Sequence, residues 1–331
     1  MMTLTVVDSL GVEYGDTTQM FGSIAGAAFI SDDELVVLDN VMKTVRRYSR
    51  SGEHLGSVEY QGSGPLEIIN AGHLCSFEGG FAVIEQYLPP KCLIFDSSMS
   101  PRKYVIIQEN APLFEPWILE DSTIVSGIYS IQNNDEQMLI GMDVSRWNMS
   151  GEREIDYYSE YYPISGAEAA SYEVFIALEF CIASSRSGRV FVVPDRSRFH
   201  IYSFASDGVC VDTLYTYHER NHRSEEEIIQ ETEFRKMRDR HLGDWMPSQL
   251  ETGIVQLQVQ DSLGYLWASH GSYFDPEFDV YSFDGELVFS CECEGLPGNE
   301  MFRFSITDYG YLAYSMHPYD YPKVYILELS E

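Results

Sequence analysis

The sequence predicts an all-β chain folded as a six-bladed β-propeller with four-stranded antiparallel blades. One strand-and-turn unit recurs six times along the chain, which is the signature of this architecture. Aromatic residues make up 14% of the chain, with 23 Tyr and 18 Phe, so strand-forming residues and core material are plentiful. The sixth copy is one strand short, whereas residues 3–10, "TLTVVDSL", form a strand with no copy around it. We expect this N-terminal strand to complete the last blade and close the ring.

Each copy contains a short strand, a polar turn, an apolar strand, a polar loop, an aromatic-rich strand, a Gly-containing turn and a final strand. The third copy is less regular than the others, and the sixth contributes three strands. The blades are expected at residues 26–58, 72–107, 116–158, 180–216, 254–293 and 302–330 plus 3–10. Together they predict a single domain over residues 1–331, because closed all-β folds commonly use this many residues as one unit.

Two insertions interrupt the repeat, at residues 159–179 and 217–252. Both fall between an outer strand and the next inner strand, where they could form a lid or rim. In the second, Ser224 is followed three residues later by Glu227, which is the pattern of a helix capping box. It predicts one helix near residues 225–240.

The first blade and the segment after it resemble a known family. Gly52 supplies the positive-φ position of a hairpin turn, and residues 35–68 as a whole resemble the bacterial six-bladed β-propeller proteins related to NHL-repeat propellers. The residues that match the family's Gly-x-Gly-Pro-x-Glu joint are Gly62, Gly64, Pro65 and Glu67. Leu66 stands where the family usually has a second glycine. The resemblance implies this fold and a location in the cell envelope or periplasm, and it assigns no catalytic residues.

Composition limits the partners. A formal charge of −31 disfavours nucleic acid and anionic membrane surfaces. The chain has no run of 18 apolar residues, which predicts no transmembrane segment, and we expect a monomer. The opening "MMTLTVVDSLG" lacks the regions of a signal peptide, so a cytoplasmic location also stays open. The six cysteines match neither a CxxC metal pair nor a disulfide scaffold, which favours structural thiols.

The loops between second and third strands of a propeller converge around the mouth of its central channel, the usual ligand site of such folds. The residues that these loops contribute are Asp39, Asn40, Glu85, Gln86, Asp195, Arg196, His270, Tyr273, Asp275, His317, Tyr319 and Asp320. Tyrosine offers rigid amphipathic contact area. We therefore expect a non-catalytic binding protein that recognises a peptide, glycan or protein at this loop-rich face.

A second interpretation is catalytic. Carboxylates from several blades could hold Ca²⁺ at the mouth of a hydrolase or lyase, with His270 and His317 as general bases. Alternatively, Asp39 and Asp195 only cap loops. "HERNH", residues 218–222, satisfies the zinc-binding HExxH pattern, but the capping signal at Ser224 places the helix after it, which favours a solvated loop. No nucleophile elbow, P-loop or dinucleotide fingerprint is present, so no cofactor or catalytic residue is assigned.

Overall fold

The structure is a computed structural model of the 331-residue chain and describes residues 2–85, 88–133, 138–164, 180–215, 221–238, 246–317 and 321–331. These residues form twenty-four strands and one α-helix, α1 (Glu225–Arg238). The strands are β1 (Met2–Leu10), β2 (Ile24–Phe29), β3 (Glu34–Asp39), β4 (Thr44–Ser49), β5 (His54–Glu59), β6 (Ala71–Phe77), β7 (Gly80–Glu85), β8 (Lys91–Asp96), β9 (Pro101–Ile106), β10 (Leu113–Ile118), β11 (Ile124–Asn133), β12 (Met138–Trp147), β13 (Arg153–Ile164), β14 (Cys181–Ser184), β15 (Val190–Val193), β16 (His200–Phe204), β17 (Cys210–Tyr215), β18 (Thr252–Gln260), β19 (Tyr265–Gly271), β20 (Pro276–Ser282), β21 (Leu287–Glu294), β22 (Met301–Thr307), β23 (Gly310–His317) and β24 (Val324–Ser330).

The strands assemble into antiparallel four-strand groups, as the repeat predicts. Four groups are separate sheets, which we name array 1 (β2–β5), array 2 (β6–β9), array 3 (β10–β13) and array 4 (β14–β17). The remaining strands form one eight-stranded sheet in the order β18-β19-β20-β21-β1-β24-β23-β22. We name its halves array 5 (β18–β21) and array 6 (β22–β24 with β1). The described residues therefore form five sheets, which differs from the six separate sheets expected from the repeat.

The N-terminal strand β1 accounts for this difference. It pairs antiparallel with β24, with Leu4 opposite Leu329 and Leu10 opposite Val324, beside the strands where the sequence placed it. Its other edge pairs in parallel with β21, with Met2 opposite Cys291, which was not expected. Both edges of β1 thus find backbone partners, because an unpaired strand edge leaves N–H and C=O groups exposed.

The core consists of apolar layers between consecutive arrays. Separate clusters lie between arrays 1 and 2, 2 and 3, 3 and 4, 4 and 5, 5 and 6, and again between 6 and 1. The second strand of each array is therefore covered on both faces, which explains its continuous apolar sequence. In β3, residues 35–38 read "LVVL" and are fully buried. The outer strand β5 instead alternates between half-buried and exposed residues.

The joint after array 1 has a definite internal structure. The Gly64 N–H donates to Glu67 Oε2 at 2.8 Å, and a Cβ at Gly62 would lie only 2.0 Å from that oxygen. Lys91 Nζ donates to the Gly64 and Glu67 carbonyls at 3.1 and 2.8 Å. The Glu67 carboxylate thus occupies the space that Gly62 leaves, which gives a structural reason for a glutamate at this place.

The hairpin turn predicted between the last two strands of array 1 is also present. Gly52 has φ = +83°, a conformation that glycine adopts without steric cost. Its N–H donates to the Ser49 carbonyl at 2.9 Å.

The second insertion contains the expected helix. α1 begins at Glu225, directly after Ser224, and ends at Arg238, with residues 239–240 outside the described part. Ser224 Oγ accepts from the Glu227 N–H at 3.2 Å, and the Ser224 N–H donates to Glu227 Oε2 at 2.9 Å, which completes the capping box. In the first insertion, β13 extends to Ile164, beyond the expected blade end at residue 158, and residues 165–179 lie outside the described part.

Candidate functional site

A polar cavity lies where the first strands of all six arrays meet. Its volume is about 110 Å³, room for a few water molecules or a group of a few heavy atoms. We call it the axial cavity. Its lining comprises Ala25, Ala27 and Ala28 of array 1, residues 73–76 of array 2, 115–117 of array 3, Ile182 of array 4, 256–258 of array 5, and 303–307 with Tyr314 of array 6.

Three polar side chains of this cavity occupy the same place in their strands. His73, Glu115 and Arg303 are each the third residue of the first strand in arrays 2, 3 and 6. All three residues line the axial cavity. None of them was among the residues predicted from the sequence. The available signal was a polar residue at one repeated position of an otherwise apolar strand.

Glu115 is held in place by its neighbours. It has φ = +46° and precedes Pro116, whose ring restricts the backbone before it. Its Oε2 accepts from the Ile182 N–H at 2.7 Å, and its Oε1 lies 3.6 Å from Arg196 Nη2. Trp117 Nε1 donates to the Ile182 carbonyl at 3.2 Å, so arrays 3 and 4 are joined by side chains at the cavity wall.

Tyr314 and Arg303 lie directly opposite each other on β23 and β22. Burial raises the pKa of Tyr314, and the Arg303 guanidinium, which hydrogen-bonds the phenol, lowers it again; the charges of Cys75 and Glu115 raise it. Tyr314 therefore stays a neutral hydroxyl at physiological pH and offers a hydrogen-bond donor or acceptor beside a cation.

Other polar groups of the lining are already engaged. Gln256 Nε2 donates to the Phe304 carbonyl at 2.7 Å, and Gln256 Oε1 accepts from the Phe304 N–H at 3.0 Å, so this amide joins arrays 5 and 6. Gln258 Oε1 accepts from the Ile306 N–H at 3.4 Å. Cys75 Sγ donates to the Pro116 carbonyl, and burial raises the pKa of its thiol well above the usual value, which keeps the donor proton in place.

The upper end of the molecule is the edge formed by loops between second and third strands. Here Arg196 Nη1 donates to the Tyr273 hydroxyl at 2.7 Å, and Arg196 Nη2 donates to the Phe180 carbonyl at 3.2 Å. The Phe302 N–H donates to the Tyr273 carbonyl at 3.2 Å. Two of the residues predicted for the mouth, Arg196 and Tyr273, thus contact each other and connect to the axial cavity through Glu115.

Helix α1 contacts this upper end. The Ser272 hydroxyl donates to Glu227, so the first turn of the helix is tied to the loop that carries Tyr273. On its next turn, Glu231 lies 2.7 Å from Arg223 Nη1, and both side chains are only 5% exposed. Arg235 also pairs with Glu231, at 3.1 Å. The described part of the second insertion therefore contacts the upper end through the first turn of α1.

The acidic residues predicted as ligands in arrays 1 and 2 have structural partners instead. Asp39 is fully buried, and its carboxylate accepts the N–H groups of Gly22, Ser23, Val41 and Met42 at 2.7, 3.2, 3.0 and 2.9 Å. The neighbouring Asn40 donates its own N–H to the Ser23 carbonyl. Glu85 is buried and accepts from the Ile69 N–H at 2.8 Å. Of the two readings of Asp39, the geometry favours the loop cap.

Asp195, His270 and Asp275 are the other predicted site residues whose side chains fall in the described part. Asp195 accepts from the Ser197 N–H and hydroxyl and pairs with Arg198 at 3.0 Å, so it shapes its own turn. His270 is buried, with its ring nitrogens 3.9 Å from Glu277 and 3.9 Å from Asp279 of the same sheet. Asp275 is exposed. Gln86, Tyr319, Asp320 and the side chain of His317 lie outside the described part.

In the described ranges, no three His, Cys, Asp or Glu side chains converge so as to hold a metal ion. His222 pairs with Leu250 in an isolated bridge and precedes the first residue of α1, so it is not on a helix; residues 218–220 of the HExxH string lie outside the described part. All six cysteines fall within the described part and are free thiols.

The lower end is the opposite edge, formed by turns between first and second strands. Arg186 of array 4 lies 3.2 Å from Asp308, 3.8 Å from Glu78 and 3.9 Å from Asp261. Its N–H also donates to Asp261 Oδ1 at 3.0 Å. Burial raises the pKa of Asp261 to about 6, Arg186 lowers it, and Asp308 and Glu120 raise it further. One guanidinium thus joins the turns of four arrays.

Comparisons with known proteins identify the fold. The chain matches no protein-family profile, and no curated protein matches it either. Among solved structures, a candidate exported protein from Bacteroides fragilis gives a TM-score of 0.53 at 10% identity, over 100% of this chain and 96% of that one. The PQQ-bound aldose sugar dehydrogenase of Streptomyces coelicolor gives 0.52 at 9% identity, over 100% and 99%. Regucalcin, a calcium-binding protein from Agrobacterium tumefaciens, gives 0.50 at 10% identity, over 98% and 94%.

These likenesses define the class of the molecule. The chain is a β-propeller protein, and its structural neighbours are propellers related to the NHL-like group. At such low identity they show the fold alone, and they include both ligand-binding proteins and enzymes. The described part contains no helix long and apolar enough to cross a bilayer.

Proposed function

We propose that the chain is a single six-bladed β-propeller domain, in which arrays 1 to 6 are the blades and the eight-stranded sheet counts as two. Support comes from the first strands, which contact one another in the order β2, β6, β10, β14, β18, β22 and back to β2. The apolar layers between consecutive arrays follow the same cyclic order. The pairing of β1 with β24 brings the N-terminal strand into the last blade.

We further propose that this domain is a non-catalytic binding module that recognises a peptide, glycan or protein at its upper end. One observation carries the proposal: Arg196 and Tyr273 form a hydrogen-bonded pair at the upper end that leads through Glu115 into a polar cavity. The acidic residues expected to bind calcium, Asp39 and Glu85, accept from backbone N–H groups. A carboxylate with several N–H donors has little capacity left for a cation.

The location that goes with this function is the cell envelope or periplasm. It rests on the resemblance of residues 35–68 to an envelope-associated family and on the candidate exported protein among the structural neighbours. Fractionation of the native host with an antibody to the chain tests this location.

The test of recognition is a binding screen on peptide and glycan arrays with the purified full chain. The matched variants are Tyr273→Ala at the upper end and Tyr215→Ala on β17, where the side chain is 79% exposed. We expect Tyr273→Ala to weaken an array ligand about tenfold or more, since interface tyrosines commonly contribute on this scale. Tyr215→Ala should bind as the wild type does. Loss of binding in both variants, or in neither, contradicts the proposed surface.

The calcium-dependent hydrolase or lyase is tested by melting the same protein with calcium and with chelator. A ligand that prefers the folded state raises the melting temperature. We expect the two curves to coincide. A calcium-dependent rise, together with bound calcium in the purified protein, would favour the catalytic interpretation over recognition.

A further inference from the structure

We propose that the axial cavity binds a carboxylate group, with the Arg303 guanidinium as its anchor and the Tyr314 hydroxyl as a second donor. This inference rests on the proposed function, because it assigns a ligand chemistry to the cavity beneath the upper end. Neither Arg303 nor Tyr314 is among the residues predicted for the mouth of the channel.

The first argument is the absence of a counter-ion. The chain has 52 acidic and 21 basic residues, so a carboxylate is available to most arginines. Among the residues that the structure describes, no carboxylate forms an ion pair with Arg303. Arg46 and Arg50 also have no carboxylate ion pair among the described residues. Their guanidiniums donate instead to the Met20 and Tyr309 carbonyls, both at 2.6 Å. Arg303 instead lines the axial cavity, where its guanidinium hydrogen-bonds the neutral phenol of Tyr314.

The second argument is electrostatic. Removing a guanidinium from bulk water costs free energy that a nearby anion can offset. The neighbouring acid of the lining, Glu115, is already engaged by Arg196 and the Ile182 N–H. An anion that entered the cavity would supply the counter-charge that Arg303 does not receive from a carboxylate of the described residues.

The third argument concerns size and charge of the anion. A cavity of about 110 Å³ accepts a group of a few heavy atoms. Two donors side by side suit a planar carboxylate, which the guanidinium fork binds through two parallel hydrogen bonds. A phosphate dianion would need more donors, and Glu115 in the same lining repels a second negative charge. Gln256 Nε2 and Cys75 Sγ each already donate to a backbone carbonyl.

A carboxylate could come from a free small acid or from the end of a peptide that enters from above. Both sources present the same planar monoanion to Arg303. The probes are therefore sodium acetate, the peptide acetyl-Gly-Gly-Gly with a free C-terminal carboxylate, and the same peptide with a C-terminal amide. Sodium chloride and inorganic phosphate at matched ionic strength serve as comparison anions.

The experiment is isothermal titration calorimetry on the full chain and three variants. Arg303→Gln removes the charge, Arg303→Lys keeps the charge but not the fork, and Arg102→Gln is the matched control on β9, where the side chain is 68% exposed. We expect Arg303→Gln to weaken the carboxylate probe at least about tenfold, in the range of a lost charge-assisted hydrogen bond. Arg303→Lys should lose less, and Arg102→Gln should bind normally. Circular dichroism establishes that each variant is folded.

Tighter binding of the peptide acid than of its amide assigns the carboxylate to a chain end, whereas binding of acetate alone assigns it to a free acid. Equal binding by wild type and Arg303→Gln, phosphate binding tighter than acetate, or no carboxylate binding by folded wild type overturns the inference. An array ligand that depends on Tyr273 but not on Arg303 would leave the proposed function standing and remove this inference. Acetate binding that depends on Arg303, together with no array ligand, would support this inference and contradict the proposed function.

Discussion

Arg186 and Arg196 lie beyond opposite ends of the same short strand, β15, and their surroundings differ. At the lower end, Arg186 faces the carboxylates of Asp308, Glu78 and Asp261, which come from three other arrays. These ion pairs join array 4 to three other arrays. Because these groups are partly exposed and several ångströms apart, each pair contributes little alone, and the network contributes through its number of members.

At the upper end, Arg196 donates to two neutral oxygens, the Tyr273 hydroxyl at 2.7 Å and the Phe180 carbonyl at 3.2 Å, and its guanidinium also lies 3.6 Å from the Glu115 carboxylate. The difference fits the proposed function, in which ion pairs at the lower end join four arrays and the upper end offers Arg196 and Tyr273 to a ligand.

The largest expected effect tests whether Asp39, at the upper end, serves structure rather than ligand binding. Asp39→Ala removes the acceptor of four backbone N–H groups at a fully buried position. We expect the free energy of unfolding to fall by about 3–5 kcal/mol, because buried donors without acceptors are costly. Urea denaturation measures the change.

The control is Asp284→Ala, since Asp284 is 92% exposed and lies 3.7 Å from Arg189. It should change the stability by less than about 0.5 kcal/mol. If the wild type melted at a higher temperature with calcium, and Asp39→Ala kept its stability but lost this rise, Asp39 would instead be a metal ligand.

An intermediate effect is expected at the lower end. Arg186→Gln leaves Asp308, Glu78 and Asp261 without their shared cation, so we expect a loss of about 1–2 kcal/mol in stability. The loss should shrink in high salt, because salt screens partly exposed charges. Chemical denaturation at low and high sodium chloride measures both quantities.

The matched control is Arg198→Gln at the upper end, where the side chain is 68% exposed and pairs with Asp195 within its own turn. Its cost should be a few tenths of a kcal/mol at most. Equal costs for the two substitutions would show that the lower ion pairs do not join the arrays.

Much of the fold could be read from the sequence because each blade repeats a local pattern. Strand alternation, the Gly52 turn and the Ser224–Glu227 capping box are short-range signals, and the strands, turn and helix they predict are present. The pairing of residues 3–10 with the last strands followed from counting strands per copy. The parallel pairing of β1 with β21 was missed, because it joins distant segments and no local pattern encodes it.

The site was harder to predict for a physical reason. The repeat register locates loops, but it does not say whether an acidic side chain there faces a ligand or accepts hydrogen bonds from nearby backbone N–H groups. Asp39 and Glu85 do the latter. Arg303 and Glu115 were missed because they lie within first strands, and the repeat pattern points to the loops, not to these strands, as the place of a ligand site. A polar residue at the third position of a first strand is the signal that would have found them.

The smallest expected effect concerns the pH response of the lower end and separates it from the upper one. The pKa of Asp261 is about 6 in the folded protein, raised by burial and by Asp308 and Glu120 against the opposing effect of Arg186, and is near 3.8 in the unfolded chain. Between these values the folded state binds more protons than the unfolded state. This carboxyl therefore makes the protein less stable as the pH rises from about 4 to 6.

Asp261→Asn removes this contribution while keeping an oxygen that can accept from the Arg186 N–H. The stability of the variant minus that of the wild type should thus increase between pH 4 and pH 7, by about 1 kcal/mol. This is less than the full pKa difference implies, because the Asp261 side chain is 22% exposed and water screens its interactions. Taking the difference cancels carboxyls that respond equally in both proteins. Asp195→Asn at the upper end, where the side chain is 40% exposed, is the comparison variant. A flat difference for Asp261→Asn, or one that falls with pH, would mean that Arg186 outweighs burial at this carboxyl and that the lower end is held by charge at every pH in this range.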